Sequence, residues 1–166
     1  MEQYESALKE GRTVYMDADE LTDISEYYMV NEREEDANKC ISLALELHPD
    51  ATDPQIFLAR QQMFHNNLAK AREIARGILQ QDDRETRFLW AEIYIKEGDA
   101  SKASEMLMQY YQPLQEDQAQ FLYDSAGVFM DYDEWEKALF WATKLKDESP
   151  KFRNADMLMA DIMVSC

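Results

Sequence analysis

The sequence predicts an all-α protein, a superhelical stack of antiparallel helix pairs, and three observations predict it. Four small-residue anchors, Ala37, Ala71, Ala103 and Ala138, stand 34, 32 and 35 residues apart. Each is preceded by a short polar turn and followed by an apolar helical stripe, and recurrence at that period marks a helix-pair array rather than one closed core. Only four Gly and four Pro occur in 166 residues, among abundant Ala, Leu, Glu, Lys, Gln and Met, a composition that favours helix throughout. Alternating β-branched runs bounded by turn residues are absent. The length suggests one domain, and no Ser/Gly-rich or Pro-rich stretch divides it.

Residues 1–16 read as an N-terminal helical cap: Glu2 to Lys9 form a short helix ended at Gly11, with Tyr4, Ala7 and Leu8 as its buried face. The repeat domain is expected over 17–166, in repeats of about 18–51, 52–83, 84–118 and 119–150 and a partial one over 151–166. In the first repeat Asp17 or Asp19 caps the leading helix. Leu21, Ile24 and Tyr28 share one face of that helix, and Ala37, Ile41 and Ala44 share one face of the next. Small Ser25 and Ala37 let the two approach closely, and Pro49 stops the second helix. The second repeat has Leu58 and Ala59, a turn at Asn66-Asn67, then Ala71, Ala75 and Ile78; the third has Trp90, Ala91 and Tyr94, a turn at Gly98-Asp99, then Ala103, Leu107 and Tyr110. The fourth runs Leu122, Ala126, Phe129, a turn over Asp131 to Asp133, then Trp135, Ala138, Ala142 and Leu145, closed by Pro150. Met157, Leu158, Met159, Ile162, Met163 and Val164 end the chain as an apolar segment. An uncovered apolar face is unusual in a soluble monomer, so this segment is expected to begin a further pair or to mediate self-association.

The first repeat carries a resemblance. Leu21, Ile24, Ser25 and Tyr28, then Ala37 and Ile41, then Pro49 follow the tetratricopeptide pattern W-x2-L-G-x2-Y, A-x3-F and P with conservative replacements, and Trp135-Glu136-Lys137-Ala138 resembles the family's entry to its second helix. The chain departs from the pattern at Gln55 and Arg87, where the family prefers a bulky aromatic, and the second and third repeats lack the closing proline. The resemblance covers roughly Asp17 to Cys166 and implies a right-handed α-solenoid that binds protein partners.

Charge narrows the partner. Seventeen Lys and Arg against 34 Asp and Glu give a net charge of -17, which repels a phosphate backbone, and no basic stripe offsets it; nucleic acid and anionic membrane surfaces are excluded as targets. No apolar run approaches the ~20 residues needed to span a bilayer, the N-terminus lacks a secretory signal, and a cytoplasmic location is expected. Cys40 and Cys166 form neither a disulfide framework nor a zinc site, and Cys40 reads as a buried apolar filler. Asp17, Asp19 and Asp23 suggest a calcium loop, but Leu21 takes an oxygen-ligand position and no glycine supplies the bend. The acids of 32–36 and 116–117 read as turn and early-helix residues, and His48 and His65 have no metal-binding neighbours. No nucleophile elbow, phosphate loop or zinc helix is present, so no catalytic residue, cofactor or metal is assigned.

The resemblance also implies where a partner would lie, because in tetratricopeptide arrays the first helix of each pair lines the concave face. Carried onto this chain, that face holds Asp19, Thr22, Glu26 and Met29, then Asp53, Ile56, Arg60, Met63 and Phe64, then Glu85, Phe88, Glu92 and Ile95, then Gln120, Tyr123 and Met130. The Lys and Asn that some members use to clamp acidic chaperone tails are replaced by Thr22, Glu26, Ile56 and Arg60, so that clamp is missing. The expected function is a non-enzymatic interaction scaffold that binds a basic or apolar peptide or helix of a protein partner in an acidic, partly apolar groove. A holding or secretion-type chaperone is the first alternative, and a helical metal-binding enzyme or regulatory subunit the second.

Overall fold

The computed structural model describes Ser6 and residues 16–165; the expected N-terminal cap with Tyr4, Ala7, Leu8 and Gly11 lies outside the described residues, as does Cys166. Residues 16–165 form nine α-helices and no strand: α1 (Ala18–Val30), α2 (Glu34–Leu47), α3 (Thr52–Phe64), α4 (Leu68–Gly77), α5 (Arg84–Lys96), α6 (Ala100–Tyr111), α7 (Gln118–Asp131), α8 (Trp135–Glu148) and α9 (Ala155–Ser165). The first eight pack as consecutive hairpins, α1 on α2, α3 on α4, α5 on α6 and α7 on α8. The chain divides into two compact bodies, Met1–Gln80 and Gln81–Cys166.

One turn closes all four hairpins. The leading helix ends at a residue with left-handed backbone, Glu32 (φ 57°), Asn66 (59°), Gly98 (85°) or Asp133 (59°). The next N–H then donates back to a carbonyl five residues earlier, Arg33 to Tyr28 at 2.8 Å, Asn67 to Gln62 at 2.8 Å, Asp99 to Tyr94 at 2.9 Å and Glu134 to Phe129 at 2.9 Å. That is the Schellman closure, which satisfies helix-end carbonyls and reverses the chain. Gly98 adopts the conformation freely, Asn and Asp tolerate it, and Glu32 does so at roughly 1–2 kcal/mol. Each left-handed residue stands five positions before one of the four alanines, so turn and anchor recur together, and all four alanines are fully buried. A side chain of one carbon at that point lets the returning helix lie close against the leading one.

In the N-terminal body α3 packs on both α1 and α2. Leu21, Ile24, Tyr28, Ala37, Cys40 and Ala44 form one buried cluster there, with Phe57 packed against them. Asp17 starts α1 through a capping box: its carboxylate accepts from the Glu20 N–H at 2.8 Å, and Glu20 accepts from the Asp17 N–H at 3.4 Å. The Cys40 thiol is buried and donates to the Leu21 carbonyl at 3.3 Å, and His48 Nε2 donates to the Met16 carbonyl at 3.1 Å.

In the C-terminal body α7 packs on α5 and α6, and α9 packs on α8 and α7. Its core is built around Phe121, whose ring lies 5.2 Å from Phe88, 5.2 Å from Tyr110, 6.0 Å from Tyr111 and 6.2 Å from Trp141. Each such ring contributes ~1.5–3 kcal/mol by burial, and each good aromatic pair ~0.5–1.5 kcal/mol more. Trp141 Nε1 donates to the buried Ser104 hydroxyl at 3.1 Å, which leaves the indole free to be enclosed. The apolar chain end is half used internally: Leu158 and Ile162 turn inward from α9, whereas Met157, Met163 and Val164 stay exposed. No helix among the described residues is long and apolar enough to cross a membrane.

Candidate functional site

The face expected to receive a partner divides into three classes in the structure. On α1, Asp19 and Glu26 are exposed and Met29 is half-buried against the core, but Thr22 is buried and its hydroxyl donates to the Ala18 carbonyl at 2.8 Å. On α3, Asp53 and Arg60 are half-buried, Ile56 and Met63 are buried, and Phe64 is 74% exposed. On α5, Glu85 is exposed, whereas Phe88, Glu92 and Ile95 are buried. On α7, Gln120 is exposed and donates to Asp124 at 2.7 Å, and Tyr123 and Met130 are half-buried. Tyr123 packs on Phe152 at 5.6 Å.

Six residues of the expected face therefore lie inside, and the expectation for Thr22, Ile56, Met63, Phe88, Glu92 and Ile95 is corrected. Leading helices pack on each other, α1 on α3 and α5 on α7, so the flank of the stripe nearest the neighbouring helix is covered. Phe88 shows this directly: it stacks on Phe121 of α7 with Arg84 over both rings. Glu92 is reached by the Tyr132 hydroxyl at 3.3 Å, from just beyond the end of α7. What remains accessible is a sparser set in which the polar side chains of Asp19, Glu26, Asp53, Arg60, Glu85 and Gln120 are interspersed with half-buried Met29, Tyr123 and Met130 and exposed Phe64.

Electrostatic fastening joins leading helices, where Arg84 of α5 pairs with Asp124 of α7, and trailing ones as well. Tyr111 at the end of α6 donates its hydroxyl to Glu148 of α8, and Lys144 donates to the same carboxylate. Loss of solvent, followed by that bond to Glu148, pushes the Tyr111 hydroxyl up to about 12. Hydrogen bonds from Lys144 and then Tyr111 hold Glu148 below its ordinary range. At the α1–α2 turn, Arg33 pairs with Asp36 at 2.8 Å and lowers that carboxyl.

The structure adds features that the stripe does not contain. Tyr27 and Val30 are exposed near the end of α1, at 49% and 84%. The signal for Val30 was its register, because it stands two residues before Glu32 as Phe64 stands two before Asn66. The C-terminal body has a cavity of about 380 Å³ lined by Asp82, Arg87, Met106, Gln109, Tyr110, Pro113 and Leu114, in which Arg87 pairs with Asp82. A second hollow of about 420 Å³ lies between α6 and α8, beside Ser104, Met108, Lys137 and Phe140. Among the described residues no group of three or more His, Cys, Asp or Glu is placed to hold a metal ion.

No protein-family model matches the chain, and no curated protein does. A solved structure from the functional characterization of Pseudomonas aeruginosa pilF, a tetratricopeptide-repeat protein, is similar with a TM-score of 0.61, covering 89% of this chain and 68% of that one at 17% identity. Such a likeness speaks to fold. Together with the repeated Schellman turns and buried alanines, it identifies the architecture as a tetratricopeptide-like α-solenoid of helix pairs.

Proposed function

We propose that this chain is a non-enzymatic protein-interaction scaffold whose leading helices receive a peptide or helix of a partner protein, one with basic and apolar character. The observation that carries the reading is the mixed acidic and apolar set left open on those helices. Asp19, Glu26 and Met29 stay accessible in the N-terminal body, and Glu85, Tyr123 and Met130 in the C-terminal one. Methionine and tyrosine adapt to varied apolar surfaces, while the carboxylates steer basic segments and accelerate encounter more than they tighten the final complex. A net charge of -17 extends that steering across the whole chain.

Affinity capture from the source cell, at low and at moderate salt, tests this. A partner retained by the native chain should be lost or much reduced with Met29→Ser plus Tyr123→Ser at unchanged helicity, and should release as salt screens the acids. Capture that is indifferent to both the substitutions and the salt would overturn the proposal.

A further inference from the structure

The final residue of each leading helix occupies one register, two positions before the left-handed turn residue: Val30, Phe64, Lys96 and Asp131. All four are exposed, Val30 at 84% and Phe64 at 74%. In the C-terminal body the position carries charge, as a solvated site ordinarily does. In the N-terminal body the same site carries a branched aliphatic and a phenyl ring, so repeat geometry alone does not account for their exposure.

The two belong to one edge. α1 packs against α3, and the end of α3 is pinned to the start of α2: Gln61 donates to Asn38 at 2.7 Å, and His65 Nε2 meets Glu34 at 2.9 Å. Phe64 lies edge-on to the His65 ring at 5.5 Å, which braces it at the turn beside Glu34, four residues beyond Val30. Exposed carboxylates of Glu26, Glu32 and Glu35 stand within five residues of Val30 along the chain. The local guanidinium, Arg33, is engaged by Asp36 and by the Tyr28 ring 4.4 Å away.

We infer that the turn edge bearing Val30 and Phe64 is a docking site for a segment of a foreign protein in which a bulky apolar side chain is flanked by Lys or Arg. Apolar anchors cover the exposed side chains, and the basic flanks meet the exposed carboxylates of Glu26, Glu32 and Glu35. A second copy of this chain fits poorly. Its exposed apolar residues on α9, Met157, Met163 and Val164, are accompanied by Asp156 and Asp161, and each copy carries -17, so pairing would set like charges together. This inference rests on the scaffold reading and places part of the contact at the hairpin turns, where it joins Phe64 of the expected face to Val30, which lies outside it.

Fluorescence anisotropy with a fluorescein-labelled peptide Gly-Lys-Lys-Phe-Leu-Lys-Lys-Gly tests it on the full chain. Saturable binding should weaken at least tenfold in Val30→Ser plus Phe64→Ser, whose circular dichroism and melting curve should match the native chain because both positions are exposed. Phe140→Ser, an equally drastic loss of an exposed ring in the other body, should leave affinity unchanged, and a probe with Ser in place of Phe and Leu should bind the native chain at least tenfold more weakly. A double variant within twofold of the native chain overturns the edge; if Met29→Ser plus Tyr123→Ser then abolishes binding, the scaffold face survives and only the edge falls. No saturable binding by the native chain overturns the assigned partner chemistry, while the capture experiment judges the scaffold separately.

Discussion

Phe88 and Phe64 both lie on the stripe expected to face a partner, yet they should respond in opposite ways to truncation. Phe88 is 3% exposed and stacks on Phe121 at the centre of the C-terminal core, so Phe88→Ala removes a buried ring and leaves a cavity beside a second aromatic. Such a change costs about 3–5 kcal/mol. With a urea dependence of about 2 kcal/mol per molar, the unfolding midpoint falls by roughly 2 M. Phe64→Ala removes a ring that is mostly in water, and should stay within about 0.5 kcal/mol of the native chain. All three tryptophans, Trp90, Trp135 and Trp141, belong to the C-terminal body, so intrinsic fluorescence reports the unfolding of the body that contains Phe88. A Phe88→Ala penalty under about 1 kcal/mol, or equal penalties at the two sites, would refute the division of the stripe into core and open face.

Three further perturbations probe other parts of the structure. The Tyr111 hydroxyl has its pKa raised by burial and by donation to Glu148, so the neutral form is favoured in the fold; the associated stability is present below pH 10 and is lost as pH rises toward about 12. Urea midpoints followed from pH 9 to 12.5 should therefore fall more steeply in the native chain than in Tyr111→Phe, which has no proton to lose. Asp17→Ala removes the capping box of α1 and should cost about 1 kcal/mol, read as a lowered midpoint in circular dichroism. In a Cys166→Ser background, the buried Cys40 should react with a thiol reagent only as fast as the N-terminal body opens, and prompt reaction in native buffer would contradict its enclosure.

The hairpins were legible because their signals are local. A residue able to adopt left-handed backbone and an alanine five positions later are required wherever two helices reverse and approach, and Asn66 with Ala71 or Gly98 with Ala103 announces that within a few residues of chain. The burial of Cys40 was legible for a similar reason, since a small apolar side chain on the inner face of α2 has nowhere else to go. The candidate face was less legible because coverage there is decided by residues far along the chain. Phe88 is covered by Phe121 and Glu92 is reached by Tyr132, partners brought in by a neighbouring repeat. Helical spacing reports which side of a helix is apolar, and both a core contact and a peptide-binding contact satisfy it.

What separates the two is a comparison between repeats. Because the same turn recurs, residues at one register experience nearly the same local backbone, and differences in their chemistry reflect what each must meet. Ala37, Ala71, Ala103 and Ala138 do not vary, since every hairpin imposes the same close approach. Val30, Phe64, Lys96 and Asp131 vary from apolar to charged while all remain exposed, so intrahelical packing imposes little there. A position that folding leaves open, but that turns apolar in one body only, is where a requirement from outside the chain is most readily expressed. That places the strongest claim to partner contact on side chains whose removal should barely alter stability, and it makes binding and unfolding measurements on the same variants separable.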